Sequence, residues 1–261
     1  MSEQRVRSAD GTAIGFLTLG SGPPLVFVHG SLTTGDDWRP VAAALADRFT
    51  CCIMSRRGRG RSGDGPDYSL DKECQDIQAV LDACGTRPHL LGHSYGAVCA
   101  LETARRSPIG KLILCEPPLP VDGTVIGPAF PAFRDAVQRR QLDEALTIML
   151  KDLGQLSAEQ VARLRSRPLW NDLAALTPSA LRELETIDSL ELGVDRFAGV
   201  MAPALLLVGT GTARHHKVAA SALQARLPNA RTVLFEGQGH DAHVSIPDVV
   251  AREIAGFLGS N

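Results

Sequence analysis

No two cysteines of this 261-residue chain stand in a C-x-x-C pair, although there are six, at Cys51, Cys52, Cys74, Cys84, Cys99 and Cys115. That spacing is what a zinc ribbon or a dithiol redox centre uses, so neither is indicated. Most of the six lie inside apolar segments and are expected to be reduced residues of the core. No uninterrupted apolar run approaches the length of a membrane span, and no charged segment leading into an apolar one opens the chain. A cytoplasmic protein without membrane contact is the expectation. Neither sign of charge prevails: 27 Lys and Arg face 29 Asp and Glu, for a net charge of −2. The basic residues are scattered except at Arg56, Arg57, Arg59 and Arg61, so nucleic acid is not an expected partner. Interleaved with Gly58, Gly60 and Gly63, that cluster reads as a solvated turn, the alternative being the steering of an anionic substrate. Internal repeats and low-complexity tracts are missing as well, and no set of ligands has metal spacing.

What is present is an ordinary globular composition, 44% hydrophobic and 21% charged, enough apolar matter for one domain with a sizeable core. Segments near Gln4–Ser8 and Thr12–Leu19 flank an Asp10-Gly11 turn signal and read as an antiparallel hairpin. Beyond it, apolar runs at Leu25–Val28, Thr50–Met54, His89–Leu91, Lys111–Cys115, Ala204–Val208 and Thr232–Phe235 alternate with helical patterns at Trp38–Ala46, Leu70–Ala83, Ala97–Arg106, Lys217–Leu227 and Pro247–Leu258. Such alternation predicts an α/β fold with a mainly parallel, doubly wound sheet of eight strands. The rhythm breaks between 119 and 199. Helical patterns at Phe133–Gln141, Glu144–Leu153, Ala158–Arg165 and Ser179–Ile187 follow one another there without a strand. This stretch reads as a helical cap inserted into a core formed by residues 1–118 and 200–261.

The strongest local signal is Gly92-His93-Ser94-Tyr95-Gly96, which follows an apolar run and precedes a helical one. It has the form G-x-S-x-G, in which a strand turns sharply into a helix and leaves the serine projecting above the sheet. Side chains at the two glycine positions would collide with neighbouring backbone. A serine hydroxyl needs a base to take its proton, and His240 is the best placed of seven histidines, lying in a Gly237-Gln238-Gly239-His240 loop between the last strand and the last helix. His243 is its near rival, whereas His215 and His216 open a helix and are expected to face solvent. For the oxyanion of acyl transfer, the backbone N–H of Tyr95 is one candidate donor. The N–H of Ser31, in His29-Gly30-Ser31-Leu32, is the other.

Taken together, these motifs resemble the α/β-hydrolase superfamily. The resemblance rests on the His29-Gly30 loop, the turn from Arg56 to Gly63, the Gly92–Gly96 elbow, the helical insertion and the Gly239-His240 loop, all in superfamily order. Most such relatives carry the third catalytic residue as an aspartate just after the strand that follows the cap. Here that segment, Leu207-Val208-Gly209-Thr210-Gly211-Thr212-Ala213-Arg214, has no carboxylate. Some members of the superfamily, certain lactonases among them, place the acid instead at the end of the strand after the nucleophile helix, where this chain has Cys115-Glu116-Pro117-Pro118. The resemblance thus implies a Ser94, His240, Glu116 triad, with Glu116 accepting the His240 N–H. Asp241 and Asp195 are weaker substitutes, and a surface role for Glu116 is the bland alternative.

The function expected is hydrolysis of a carboxylic ester, lactone or thioester through an acyl-serine, with no cofactor and no metal. Carbon–carbon bond hydrolysis, a lyase reaction, acyl transfer or cofactor-free perhydrolysis on the same scaffold are the alternatives within enzymes. A non-catalytic ligand receptor is the alternative outside them. The cap offers Phe130, Phe133, Leu146, Met149, Leu150, Leu169, Trp170 and Leu173 as apolar surface for a small hydrophobic substrate, although an amphipathic helix must bury one face whatever the substrate. Phe133 and Trp170, with His29, are the candidates for substrate contact. Monomer and homodimer are both compatible with the sequence.

Overall fold

A computed structural model describes residues 1–259. The strands are β1 (Ser2–Arg7), β2 (Ala13–Leu19), β3 (Pro24–Val28), β4 (Thr50–Met54), β5 (His89–His93), β6 (Leu112–Cys115), β7 (Ala204–Gly209) and β8 (Ala230–Phe235). They form one eight-stranded sheet in the order β1-β2-β4-β3-β5-β6-β7-β8. The β1–β2 and β2–β4 pairs are antiparallel and the other five are parallel. The central strands are buried on both faces, which explains why they read in sequence as unbroken apolar runs and not as an alternation. Their side chains nonetheless divide by the two-residue period of a strand. Val26, Val28, Leu112, Leu114, Leu206 and Val208 enter one hydrophobic core, and Leu25, Phe27, Ile113, Cys115, Leu205 and Leu207 the other.

The flanking helices are α1 (Arg39–Leu45), α2 (Leu70–Cys84) and α3 (Tyr95–Arg106), followed, between β6 and β7, by α4 (Phe130–Gln138), α5 (Leu142–Ile148), α6 (Ala158–Arg165), α7 (Leu169–Ala175) and α8 (Thr177–Asp188). After β7 come α9 (Arg214–Arg226), the short α10 (Ala242–Ser245) and α11 (Pro247–Gly259). Helices α1 and α11 contribute Val41, Ala42, Leu45, Val250 and Ile254 to the second core, whereas α2, α3 and α9 cover the first. Of the inserted helices only α7 escapes the sequence reading. It spans seven residues and buries only Trp170 and Ala174. Among the described residues no helix is long and apolar enough to cross a membrane.

The turn from β5 into α3 has no room for a side chain at either of its glycines. A Cβ on Gly92 would lie 2.4 Å from the Gly96 carbonyl oxygen, and one on Gly96 would lie 2.3 Å and 2.4 Å from the carbonyl oxygens of His29 and Val28. The close approach is therefore backbone to backbone, between α3 and the end of β3, with no flexible side chain able to yield. Gly96→Ala is expected to cost upwards of about 3 kcal/mol. A denaturant midpoint within experimental error of wild type would contradict this packing.

Candidate active site

Strand β5 delivers Ser94 to the sheet's C-terminal edge in a conformation that side chains seldom adopt, with φ 54° and ψ −126°. Six described non-glycine residues have positive φ, and three of them, Leu32, Ser94 and Glu116, flank this edge. Each such residue costs roughly 1–3 kcal/mol, so half of the described positive-φ residues place their strain along this one edge. The Ser94 N–H donates to the Cys115 carbonyl oxygen at 2.8 Å, and Glu116 follows directly.

Glu116 and His240, 124 positions apart, meet here. Nδ1 of His240 lies 2.6 Å from Oε2 of Glu116. Burial alone would raise the pKa of the carboxyl, but the hydrogen bond and charge of His240, the Thr212 hydroxyl and the Gly209 N–H outweigh it and hold Glu116 below its ordinary value. Gly209 donates at 2.8 Å to Oε1 and Thr212 at 2.6 Å to Oε2. Both donors belong to the segment from Leu207 to Arg214, at the end of β7 and just beyond it, in which the resemblance led one to look for an aspartate. That segment supplies the donors for a carboxylate arriving from β6. The substitutes lie elsewhere: Asp195 is paired with Arg226 at the surface, and Asp241 is largely exposed, its Oδ1 4.0 Å from His93 Nε2.

The seven histidines divide sharply. Burial depresses the pKa of His29, His89, His93, His215, His216 and His243, to about 4 for His93 and about 2 for His243. His240 alone moves up, because the hydrogen bond from its ring to Glu116, with the charges of Asp241 and Glu116, exceeds the opposing effect of burial. A ring that must hold a proton in mid-reaction gains from that environment. His243, the rival, is instead stacked on Trp38 at 4.3 Å. His93 ties the His240 loop to the elbow, its Nε2 lying 3.1 Å from the His240 carbonyl oxygen and its ring 4.7 Å from the His240 ring.

Comparison with known proteins agrees with this architecture. The profile of the alpha/beta hydrolase family matches residues 25–253. The chain belongs to the alpha/beta hydrolase family. It is 32% identical to an N-formylmaleamate deformylase of Pseudomonas putida over 72% of this chain and 71% of that protein. It is 28% identical to a pimeloyl-[acyl-carrier protein] methyl ester esterase of Nitrosomonas europaea, over 88% and 94%. An alpha/beta hydrolase from Sphaerobacter thermophilus superimposes with a TM-score of 0.85 at 32% identity, covering 97% of this chain and 99% of the other.

Two expectations from the sequence of this alpha/beta hydrolase need correcting. The arginine cluster is not a solvated turn: Arg56, Arg57 and Arg59 are 0%, 1% and 2% exposed. Arg57 is held by both oxygens of Asp76 and by Asp10, and Arg56 by both oxygens of Glu73 and by Glu183. Paired carboxylates make this burial tolerable. The signal was on α2, where Glu73 and Asp76 share the face that buries Ile77 and Val80. His216 does not face solvent either. It is 7% exposed and stacks on the His240 ring at 4.5 Å and 16°.

The residues expected at the substrate are engaged with the protein itself. His29 is fully buried, its Nε2 accepting the Arg56 N–H at 3.0 Å and its Nδ1 lying 2.8 Å from the Gly30 carbonyl. Phe133 is likewise fully buried, and Trp170 packs with Leu146, Val161 and Ala174 while giving its indole N–H to Asp143 at 2.6 Å. As for metals, donor atoms of His93, Asp241 and His243, and of Glu116, His216 and His240, come within 4.8 Å of one another. In the second group Glu116 and His240 are bonded to each other, and in the first His93 already contacts the His240 carbonyl. A bound ion would compete with both contacts.

Proposed function

We propose that this alpha/beta hydrolase cleaves a carboxylic ester, lactone or thioester through an acyl-Ser94 intermediate. The observation that carries the reading is the 2.6 Å contact between His240 Nδ1 and Glu116, at the one histidine whose pKa is raised. Glu116 fixes the tautomer that leaves Nε2 free to accept a proton. His240 takes the Ser94 proton as the oxygen attacks the acyl carbon, then returns it to the departing oxygen or sulfur; water repeats the sequence to release the acid. The N–H groups of Ser31 and Tyr95 hold the developing oxyanion, the second at the positive end of α3. In support, Ser94 Cβ would sit only 2.9 Å from a Cβ on Gly30, which brings the Ser31 loop against the nucleophile.

The names of the relatives support an acyl group as the substrate's reacting part, a methyl ester in one and a formyl group in the other. The deformylase relative favours a second reading, removal of a formyl group from nitrogen by the same steps. Residues 119–199 act as the cap, with His29, Phe133 and Trp170 shaping the site through packing. Six free cysteines support a reducing, cytoplasmic setting. The reading is tested by exposing the protein to a fluorophosphonate and to panels of p-nitrophenyl esters, lactones, thioesters and N-formyl amides. Labelling of Ser94 together with turnover in one panel is expected. A folded protein that takes no label at Ser94 would be a ligand receptor on this scaffold.

A further inference from the structure

Glu183, on cap helix α8, is 1% exposed and lies far in sequence from every motif, yet its carboxylate is one of the most heavily bonded in the molecule. Oε2 accepts the Ser31 hydroxyl at 2.6 Å. Oε1 accepts Arg56 at 2.5 Å and Arg59 at 2.7 Å. The same two guanidinium groups also donate to the Gly30 carbonyl, each at 3.2 Å, and Arg56 reaches the His29 carbonyl at 3.4 Å. Arg56 lies in addition over the Tyr95 ring, 4.7 Å from its centroid. One buried cluster of two cations and two carboxylates thus touches both residues whose N–H groups are assigned to the oxyanion. The core supplies Arg56, Arg59 and Glu73, and the cap supplies Glu183.

Resting on the acyl-serine reading, we infer that Glu183 is a positioning residue through which the cap sets the oxyanion loop. With the Gly30 and His29 carbonyls drawn toward the guanidinium groups, the opposite side of the loop, which carries the Ser31 N–H, turns toward Ser94. Among the described residues neither the Ser31 nor the Tyr95 N–H donates within the protein, so both remain available for a ligand oxygen. The Ser31 hydroxyl is the direct link between this loop and the cap. Leu32, at φ 53°, continues it by packing against both the main core and the Trp170 cluster. A donor displaced by a fraction of an ångström loses much of its value in a transition state while affecting substrate binding little.

The test uses the full chain, with p-nitrophenyl butyrate as the reporter and Ser31→Ala, Glu183→Gln and the double variant as probes. Ser31→Ala keeps the N–H and every charge and removes only the link, so it remains informative if Glu183→Gln folds poorly. Each single variant is expected to lower kcat by roughly tenfold to a hundredfold with KM within about twofold, and the double variant to be no worse than Glu183→Gln, because both changes cut one connection. Amide hydrogen exchange across 29–32 should rise in both single variants relative to wild type, whatever the enzyme's true substrate. Wild-type kcat in Ser31→Ala, effects that multiply in the double variant, or unchanged exchange would overturn the inference. Absence of fluorophosphonate labelling in wild type with the exchange result intact would overturn the acyl-serine reading and leave the cap-to-loop link standing.

Discussion

Replacing Ser94 by alanine is expected to abolish fluorophosphonate labelling and lower turnover about a million-fold, while Ser94→Gly, equally inactive, should melt about 2–4 °C above Ser94→Ala. Two separate properties of the elbow are being read. The loss of turnover follows, on the acyl-serine reading, from removing the oxygen that would bond to the acyl group. The difference in melting follows from the backbone at φ 54° and ψ −126°, which an alanine side chain must endure and a glycine does not. Relief of roughly 1–3 kcal/mol of strain is offset in part by glycine's greater freedom in the unfolded chain, leaving a net gain near 1 kcal/mol. Calorimetry on the two inactive variants checks the second property without any substrate. An alanine variant as stable as the glycine one would mean that the strain is an insignificant part of the stability of this turn.

Much of this arrangement was legible in the sequence, and the reason differs from one residue to another. Ser94 was readable because a strand-to-helix turn with two backbone contacts admits only glycine at two positions, so the geometry leaves a spelling. The central strands were readable because burial on both faces demands continuous apolar runs, whereas the exposed edge strand β1 and its partner β2 were readable from the Asp10-Gly11 turn between them. Glu116 could be reached only by resemblance, since a carboxylate at a strand's end is spelled like any surface residue. What its sequence could not display is the pair of donors, Gly209 and Thr212, that fill the place of the usual acid.

The misreadings share one cause. Arginine beside glycine in a turn looks solvated when each residue is considered alone, and only tertiary structure brings Glu73, Asp76 and Glu183 against it. His216 was likewise judged by its place at a helix start, whereas its surroundings are set by the His240 loop packing across it. Charges that meet from distant parts of the chain leave no periodic trace. Their signature is indirect: an ionisable residue on a helix face that is otherwise apolar, as Glu73 and Asp76 are on α2.

Glu116→Gln is expected to lower turnover by about ten-thousandfold and to move the acid limb of the pH–rate profile to lower pH. A glutamine can turn its amide N–H₂ toward Nδ1 and select the tautomer with the proton on Nε2, which cannot accept the serine proton. The direction of the pH change follows from the environment of His240. On the acyl-serine reading the ring must be neutral to act as a base, so activity in wild type should rise through its native pKa, which lies above the ordinary 6.5 because the hydrogen bond to Glu116, with the charges of Asp241 and Glu116, outweighs burial. With the hydrogen bond and charge of Glu116 gone, only Asp241 still opposes burial and the limb shifts downward. Stability carries the same interaction with opposite limits. The native pKa of His240 is raised, so its contribution is complete below 6.5 and lost as the pH rises through that native value. Glu116 is depressed, so its contribution is present above its ordinary 4.5 and lost as the pH falls through its native value. The difference in melting temperature between wild type and Glu116→Gln should therefore be greatest between pH 4.5 and 6.5 and shrink on either side. A variant with turnover within tenfold of wild type and an unmoved acid limb would remove the carboxylate from the reaction, since the hydrogen bond that does most to raise His240 and the acceptor that orients it belong to the same group.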